Sequence, residues 1–166
     1  MIEQAEKYVK KNKIEKGQIW CVYDKDSFPS KDFNAVEEKV VELNKMNSQL
    51  QYHAAWSNEC IEYWFILHFD NYQSNNHRKS YMDYLNHKFN SLGIERYQKN
   101  NSHIFDILHT YGKPYLAIRY AKENIQENNG KPSSQIAPGT KVYELVEELS
   151  QYLPETLKEK YMKKHT

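Results

Sequence analysis

Asp24 and Asp26 stand one residue apart where a short apolar run, Gln18-Ile-Trp-Cys-Val-Tyr23, gives way to polar chain. Two carboxylates placed together repel each other unless a positive charge offsets them. A hard cation such as Mg2+ or Mn2+ takes such oxygen ligands while keeping several waters. Held there, it could orient a phosphate and activate water. The same pair also has a structural reading, in which the aspartates open a turn and cap the next helix. Glu62 is a third acidic candidate, as a ligand or a general base, set against a first-turn glutamate favoured by the helix dipole. Asn58 and Ser57 read as cap or loop organisers. His53 and His68 read as satisfied core histidines, with a proton shuttle as the alternative. His77, His87, His103, His109 and His165 show no ligand spacing with one another or with cysteine, so no zinc site is read. Lys25, Lys31, Arg78, Lys79, Lys88, Arg96, Lys99, Arg119, Lys122 and Lys131 are the basic candidates for a phosphate-binding surface. Tyr72, Tyr81, Tyr84 and Tyr97 interleave with several of them, a mixture that suits single-stranded nucleic acid. It suits an ordinary solvated helical surface equally well.

Elements must bring these residues together. The run 18–23 predicts a buried strand, β-branched and aromatic and closed by a polar loop over 24–32. Asp32 is placed to cap a helix over 33–47, with Val36, Val40 and Leu43 on one face. Residues 50–55 predict a second strand. Ser57 and Asn58 then open a helix over 59–69 that is apolar nearly all round and therefore central. In open α/β sheets ligands sit beyond the carboxyl ends of strands, so Asp24, Asp26 and the Asn58–Glu62 junction should share one edge. Further helices are predicted over 2–13, around Tyr81, Leu85, Phe89 and Leu92 with Gly93 as the stop, over 101–111, and from Pro114 to about Asn128. The stretch Asn128 to Gly139 is one long loop. Thr140 should cap a last helix carrying Val142, Leu145, Val146, Leu149 and Leu153, and residues 154–166 form a charged tail. Two strands alone make a marginal sheet. The expectation is a parallel sheet that lacks an N-terminal strand, either because the chain is a fragment or because another copy completes the sheet as a homodimer.

The bulk numbers bound the reading. A chain of 166 residues fits one domain, with 39% hydrophobic residues and 14 tyrosines that can bury a ring and still satisfy a hydroxyl. The net charge of +1 gives no global basic field. Cys21 and Cys60 are the only cysteines and read as reduced core thiols. With no membrane-spanning run and no secretory signal, a cytoplasmic protein is expected.

Three segments together resemble the RloB-like family. They are Ile19-Trp-Cys-Val-Tyr-Asp-Lys-Asp26, the long block Ala55-Trp-Ser-Asn-Glu-Cys-Ile-Glu-Tyr-Trp-Phe-Ile-Leu-His-Phe69, and a late stretch with Ala117-Ile-Arg119-Tyr-Ala121 and Thr140-x-Val-Tyr-x-Leu-Val146. The second block is the specific signal, and the resemblance covers roughly residues 15–153. At Glu59 the family more often carries Pro. The resemblance implies a Toprim-like (Rossmannoid) fold and a role in bacterial abortive infection or phage defence. It also implies an AAA-type ATPase partner and Mg2+-dependent nuclease chemistry on DNA or RNA. It implies that Asp24 and Asp26 are catalytic metal ligands, that Mg2+ or Mn2+ is bound weakly in the absence of the family's first-strand Glu, and that catalysis by this chain alone is impaired. Glu62, read from its place one turn into the helix, is the third catalytic candidate. The substrate-binding candidates are Lys25, Asn58, His68 and Arg119. The domain expected is 1–153, followed by the tail 154–166. Two other function classes stay open: a non-catalytic subunit that docks on an ATPase, and a haloacid-dehalogenase-like phosphotransferase with Asp24 as nucleophile. An EF-hand is excluded because Phe28 and Pro29 stand where that loop needs an oxygen ligand and Gly.

Overall fold

The computed structural model describes residues 1–46 and 49–162, and His165 lies outside them. Among the described residues the order is α1 (Ile2–Asn12), β1 (Gly17–Asp24), α2 (Ser30–Met46), β2 (Leu50–Asn58), α3 (Glu62–Leu67), α4 (Arg78–Ser91), α5 (Ile104–Tyr111), α6 (Pro114–Glu127), β3 (Gly139–Thr140), α7 (Val142–Ser150) and α8 (Glu155–Met162). The fold is mixed α/β with a helical C-terminal half.

Strands β1 and β2 pair in parallel, with Gly17 opposite Leu50 and Asp24 opposite Ser57. The helix between them makes this a β-α-β crossover. On one face Cys21, Leu50 and Tyr52 meet Ile2 and Val9 of α1, with Val36, Val40 and Leu43 of α2 packed alongside. The apolar face read on α2 is therefore the one that covers the sheet. Phe33, Ala54, Trp56 and Ile136 continue this layer. On the opposite face the Trp20 and His53 rings stack at 4.3 Å.

The sheet gains a third strand that the sequence does not announce. β3 is two residues long and runs antiparallel to the end of β2, with Thr140 opposite Ser57 and Gly139 opposite Asn58. So short a strand carries no periodicity to read. Only Gly fits here: a Cβ on Gly139 would stand 2.7 Å from Ile136 Cγ2 and 2.8 Å from the Ile136 carbonyl. The Thr140 hydroxyl donates to the Trp56 carbonyl at 3.0 Å and accepts from the Val142 amide at 3.2 Å. The N-cap of α7 is Lys141 rather than the expected Thr140, which stands one residue earlier and reaches the first helical amide from within a strand.

Several boundaries move. Asp32 lies in the first turn of α2 rather than before it, because the helix already starts at Ser30 behind Pro29. The central helix begins at Glu62, three residues later than expected, after a turn in which the Tyr63 amide donates to the Cys60 carbonyl at 3.1 Å. It is as buried as its composition requires, with Tyr63, Ile66 and Leu67 fully enclosed among Tyr81, Leu85, Phe89, Ala117 and Ala121. The expected charged tail is helical over Glu155–Met162. It is held by buried Tyr161, whose hydroxyl meets His109 Nδ1 at 3.2 Å. Cys21 and Cys60 are buried free thiols. No helix among the described residues is long and apolar enough to cross a membrane.

Candidate functional site

The parallel register brings Asp24 to the carboxyl edge of the sheet, beside Ser57. Two further backbone bonds carry the chain past the strand end. The Lys25 amide donates to the Ser57 carbonyl at 2.8 Å, and the Asp26 amide donates to the Glu59 carbonyl at 2.9 Å. Asp26 adopts φ 42°, a left-handed conformation that aspartate tolerates better than most residues. The Asn58–Glu59 peptide is cis. Both aspartates therefore lie over the junction between β2 and α3, as strand-end logic requires.

The two carboxylates have different surroundings. Asp24 is half-buried. Burial first, then the charges of Asp26 and Glu62, push its carboxyl up to about 6, against the opposing pull of Lys99 and of a hydrogen bond from the Ile61 amide. Two further carboxylates thus act electrostatically on Asp24. Asp26 is paired: Arg78 Nη1 stands 3.0 Å from its Oδ1. Arg78 opens α4, and its backbone amide donates to Glu59 Oε2 at 2.7 Å. Glu59 therefore holds both the Asp26 amide, through its carbonyl, and the start of α4, through its side chain.

Glu62 is 2% exposed, and its Oε1 accepts a hydrogen bond from the Tyr97 hydroxyl at 2.9 Å. Burial and the neighbouring Glu62 raise the Tyr97 hydroxyl and the Cys60 thiol well above their usual ranges, so both remain protonated donors. A carboxylate this enclosed acts as a fixed charge behind Asp24 more readily than as a base open to solvent.

Of the four candidate substrate-binding residues, two lie at this edge. Lys25 sits between the aspartates, with its Nζ donating to the Phe28 carbonyl. Asn58 is buried and its Nδ2 donates to the carbonyls of Ser133 at 3.3 Å and Ser134 at 3.2 Å. It organises the loop before β3, as a loop organiser should. The structure does not bring the other two to the cluster. His68 caps the far end of α3, where Nδ1 meets the Trp64 carbonyl at 3.0 Å and burial lowers the ring to about 4, so it is a neutral core histidine. Arg119 is on α6, pairing with Glu123 one turn along at 3.6 Å and lying over the Tyr120 ring. Arg78, Lys99 and Tyr97 belonged to a general basic and aromatic set. Their link to the carboxylates is long-range and left no local trace in sequence.

Among the described residues no group of three or more His, Cys, Asp or Glu is arranged to hold a metal ion. The donors present do fit a less demanding arrangement. Mg2+ is commonly held by one or two carboxylates, retained waters and substrate phosphate, and a half-buried carboxylate crowded by two others is where such a charge is most favoured.

A family model described as RloB-like protein matches residues 1–149, a span that contains every residue of this cluster. No curated protein and no solved structure matches the chain.

Proposed function

The chain belongs to the RloB-like family, and from that premise we propose that it is a metal-dependent nuclease-like component of a bacterial defence system, working with an AAA-type ATPase on nucleic acid. One observation carries this reading: the crowding that pushes the Asp24 carboxyl up to about 6 at the carboxyl edge of a parallel strand pair. A perturbed carboxylate at the strand edge where ligands bind is a functional-site candidate.

In this reading Asp24 and Asp26 hold Mg2+ or Mn2+, which when bound supplies charge for the phosphate and a polarised water. Glu62 is kept in place by Tyr97 and keeps the pocket negative. Lys99, within electrostatic reach of Asp24, and Lys25, between the aspartates, face the phosphate. With so few protein ligands the metal is bound weakly. Titration calorimetry with Mn2+ tests this. Weak binding that disappears in Asp24→Asn supports the assignment. Unchanged binding in that variant rejects it.

The phosphotransferase alternative is disfavoured by what surrounds the later hydroxyl and lysine it would need. The Thr140 hydroxyl is engaged by Ser57 and Trp56, and Lys141 Nζ pairs with Glu37 at 2.7 Å. The ATPase partnership draws on a separate observation. Phe105, Val146, Leu149, Leu153 and Tyr161 line an apolar groove of about 250 Å³, with Phe105 64% and Leu149 56% exposed. Exposed apolar surface of this kind marks protein contact sites. Co-purification with the ATPase should be lost in a Phe105→Asp, Leu149→Asp double variant and kept in Asp24→Asn.

A further inference from the structure

Arg78 occupies one of the two carboxylates that the proposed site needs. Its guanidinium is 3.0 Å from Asp26 Oδ1. That oxygen is buried and makes no hydrogen bond, so the contact is an ion pair only, while the Arg78 side chain is 35% exposed and its other face is open to solvent. Among the described residues Asp26 is the one ion-pair partner of the guanidinium. The hydrogen bond to Glu59 Oε2 comes from the backbone amide of Arg78. The start of α4 is therefore fixed while the charged end of its first residue can move. A guanidinium binds a phosphate with the same planar fork that it offers a carboxylate. Lys99 also acts electrostatically on Asp24, so an arriving phosphate would meet two cations near the aspartates.

We propose that Arg78 is an exchange residue: it neutralises Asp26 in the free protein and transfers to a backbone phosphate of the nucleic acid when substrate arrives, releasing Asp26 to the metal. This rests on the reading of Asp24 and Asp26 as metal ligands. Metal and nucleic acid would then bind cooperatively, because each makes the site the other needs. By linkage the effect is equal in both directions. Such a device keeps a destructive activity unloaded until its substrate is present.

The test uses the full chain and two probes, Mn2+ alone and a fluorescent single-stranded oligonucleotide with a phosphorothioate backbone. Arg78→Gln removes the charge and keeps the backbone bond to Glu59. Arg78→Lys keeps the charge and serves as the control, with circular dichroism confirming that both fold. Arg78→Gln should bind Mn2+ at least about fivefold tighter than wild type, the lower end of the usual coupling between two sites. It should also bind the oligonucleotide more weakly, and that affinity should no longer respond to Mn2+. Arg78→Lys should stay near wild type in Mn2+ affinity. Wild-type Mn2+ binding that depends on Asp24 but is unchanged or weakened in Arg78→Gln overturns the exchange and leaves the metal assignment standing. Mn2+ binding indifferent to Asp24→Asn overturns the metal assignment and the exchange with it.

Discussion

At the scale of residues, the two aspartates of one short motif have been given opposite electrostatic circumstances. Asp26 has a cation 3.0 Å away, whereas Asp24 is crowded by carboxylates and sits at about 6, well above an ordinary aspartate. The raised value has a consequence for folding. Between the ordinary aspartate range near 4 and about 6, the folded chain holds a proton at Asp24 that the unfolded chain has released. Stability contributed at this position is therefore present at low pH and lost as pH rises through that window. In metal-free buffer Asp24→Asn, which removes the charge and keeps the shape, should match wild type in Tm near pH 4 and exceed it at pH 8. An offset that is the same at both pH values would contradict the crowding. His68 has the opposite sign. Its ring, lowered to about 4 by burial, withholds stability as pH falls from about 6.5 toward 4, because the unfolded histidine then takes up a proton that the folded one refuses.

At the scale of elements, the parts that could be read in the sequence are those whose residues act locally. The strand ending in Asp24, the amphipathic face of α2, Gly93 after α4 and Pro114 at the start of α6 each follow from spacing or backbone chemistry. What could not be read is held by long-range partners. β3 exists because Gly139 and Thr140 fit against Asn58 and Ser57, about eighty positions earlier in the chain. Likewise Glu62 is anchored by Tyr97, and Asp26 by Arg78, from segments whose own sequence says nothing of a carboxylate. Two consequences are measurable by urea denaturation. Tyr97→Phe leaves the enclosed Glu62 carboxylate without its hydroxyl donor and should cost about 1–3 kcal/mol. Gly139→Ala forces its methyl against Ile136 and should destabilise the chain, whereas Gly130→Ala, where nothing lies within 4 Å of the added Cβ but φ is +86°, should cost only the backbone strain.

At the scale of the whole molecule, a small mixed sheet carries the site and a larger helical core supports it. The helical core is the main store of stability: Tyr81, Leu85 and Phe89 of α4 are fully enclosed against α3 and α6. Leu85→Ala should lose about 2–5 kcal/mol without moving the carboxylate edge. The sheet has its order β1-β2-β3, so among the described residues nothing pairs with the outer side of β1. Val22 on that strand is 48% exposed. An unpaired edge is a template for pairing, and we propose self-association there as the route to a homodimer. Light scattering should find a dimer in wild type and a monomer in Val22→Lys. The central claim concerns the other end of β1, and the most direct measurement is cleavage of single- and double-stranded DNA and RNA, with Mn2+, by the chain in complex with its ATPase. The account predicts metal-dependent cleavage that is lost in Asp24→Asn and in Asp26→Asn while both variants remain folded. Cleavage that persists undiminished in these variants would contradict it.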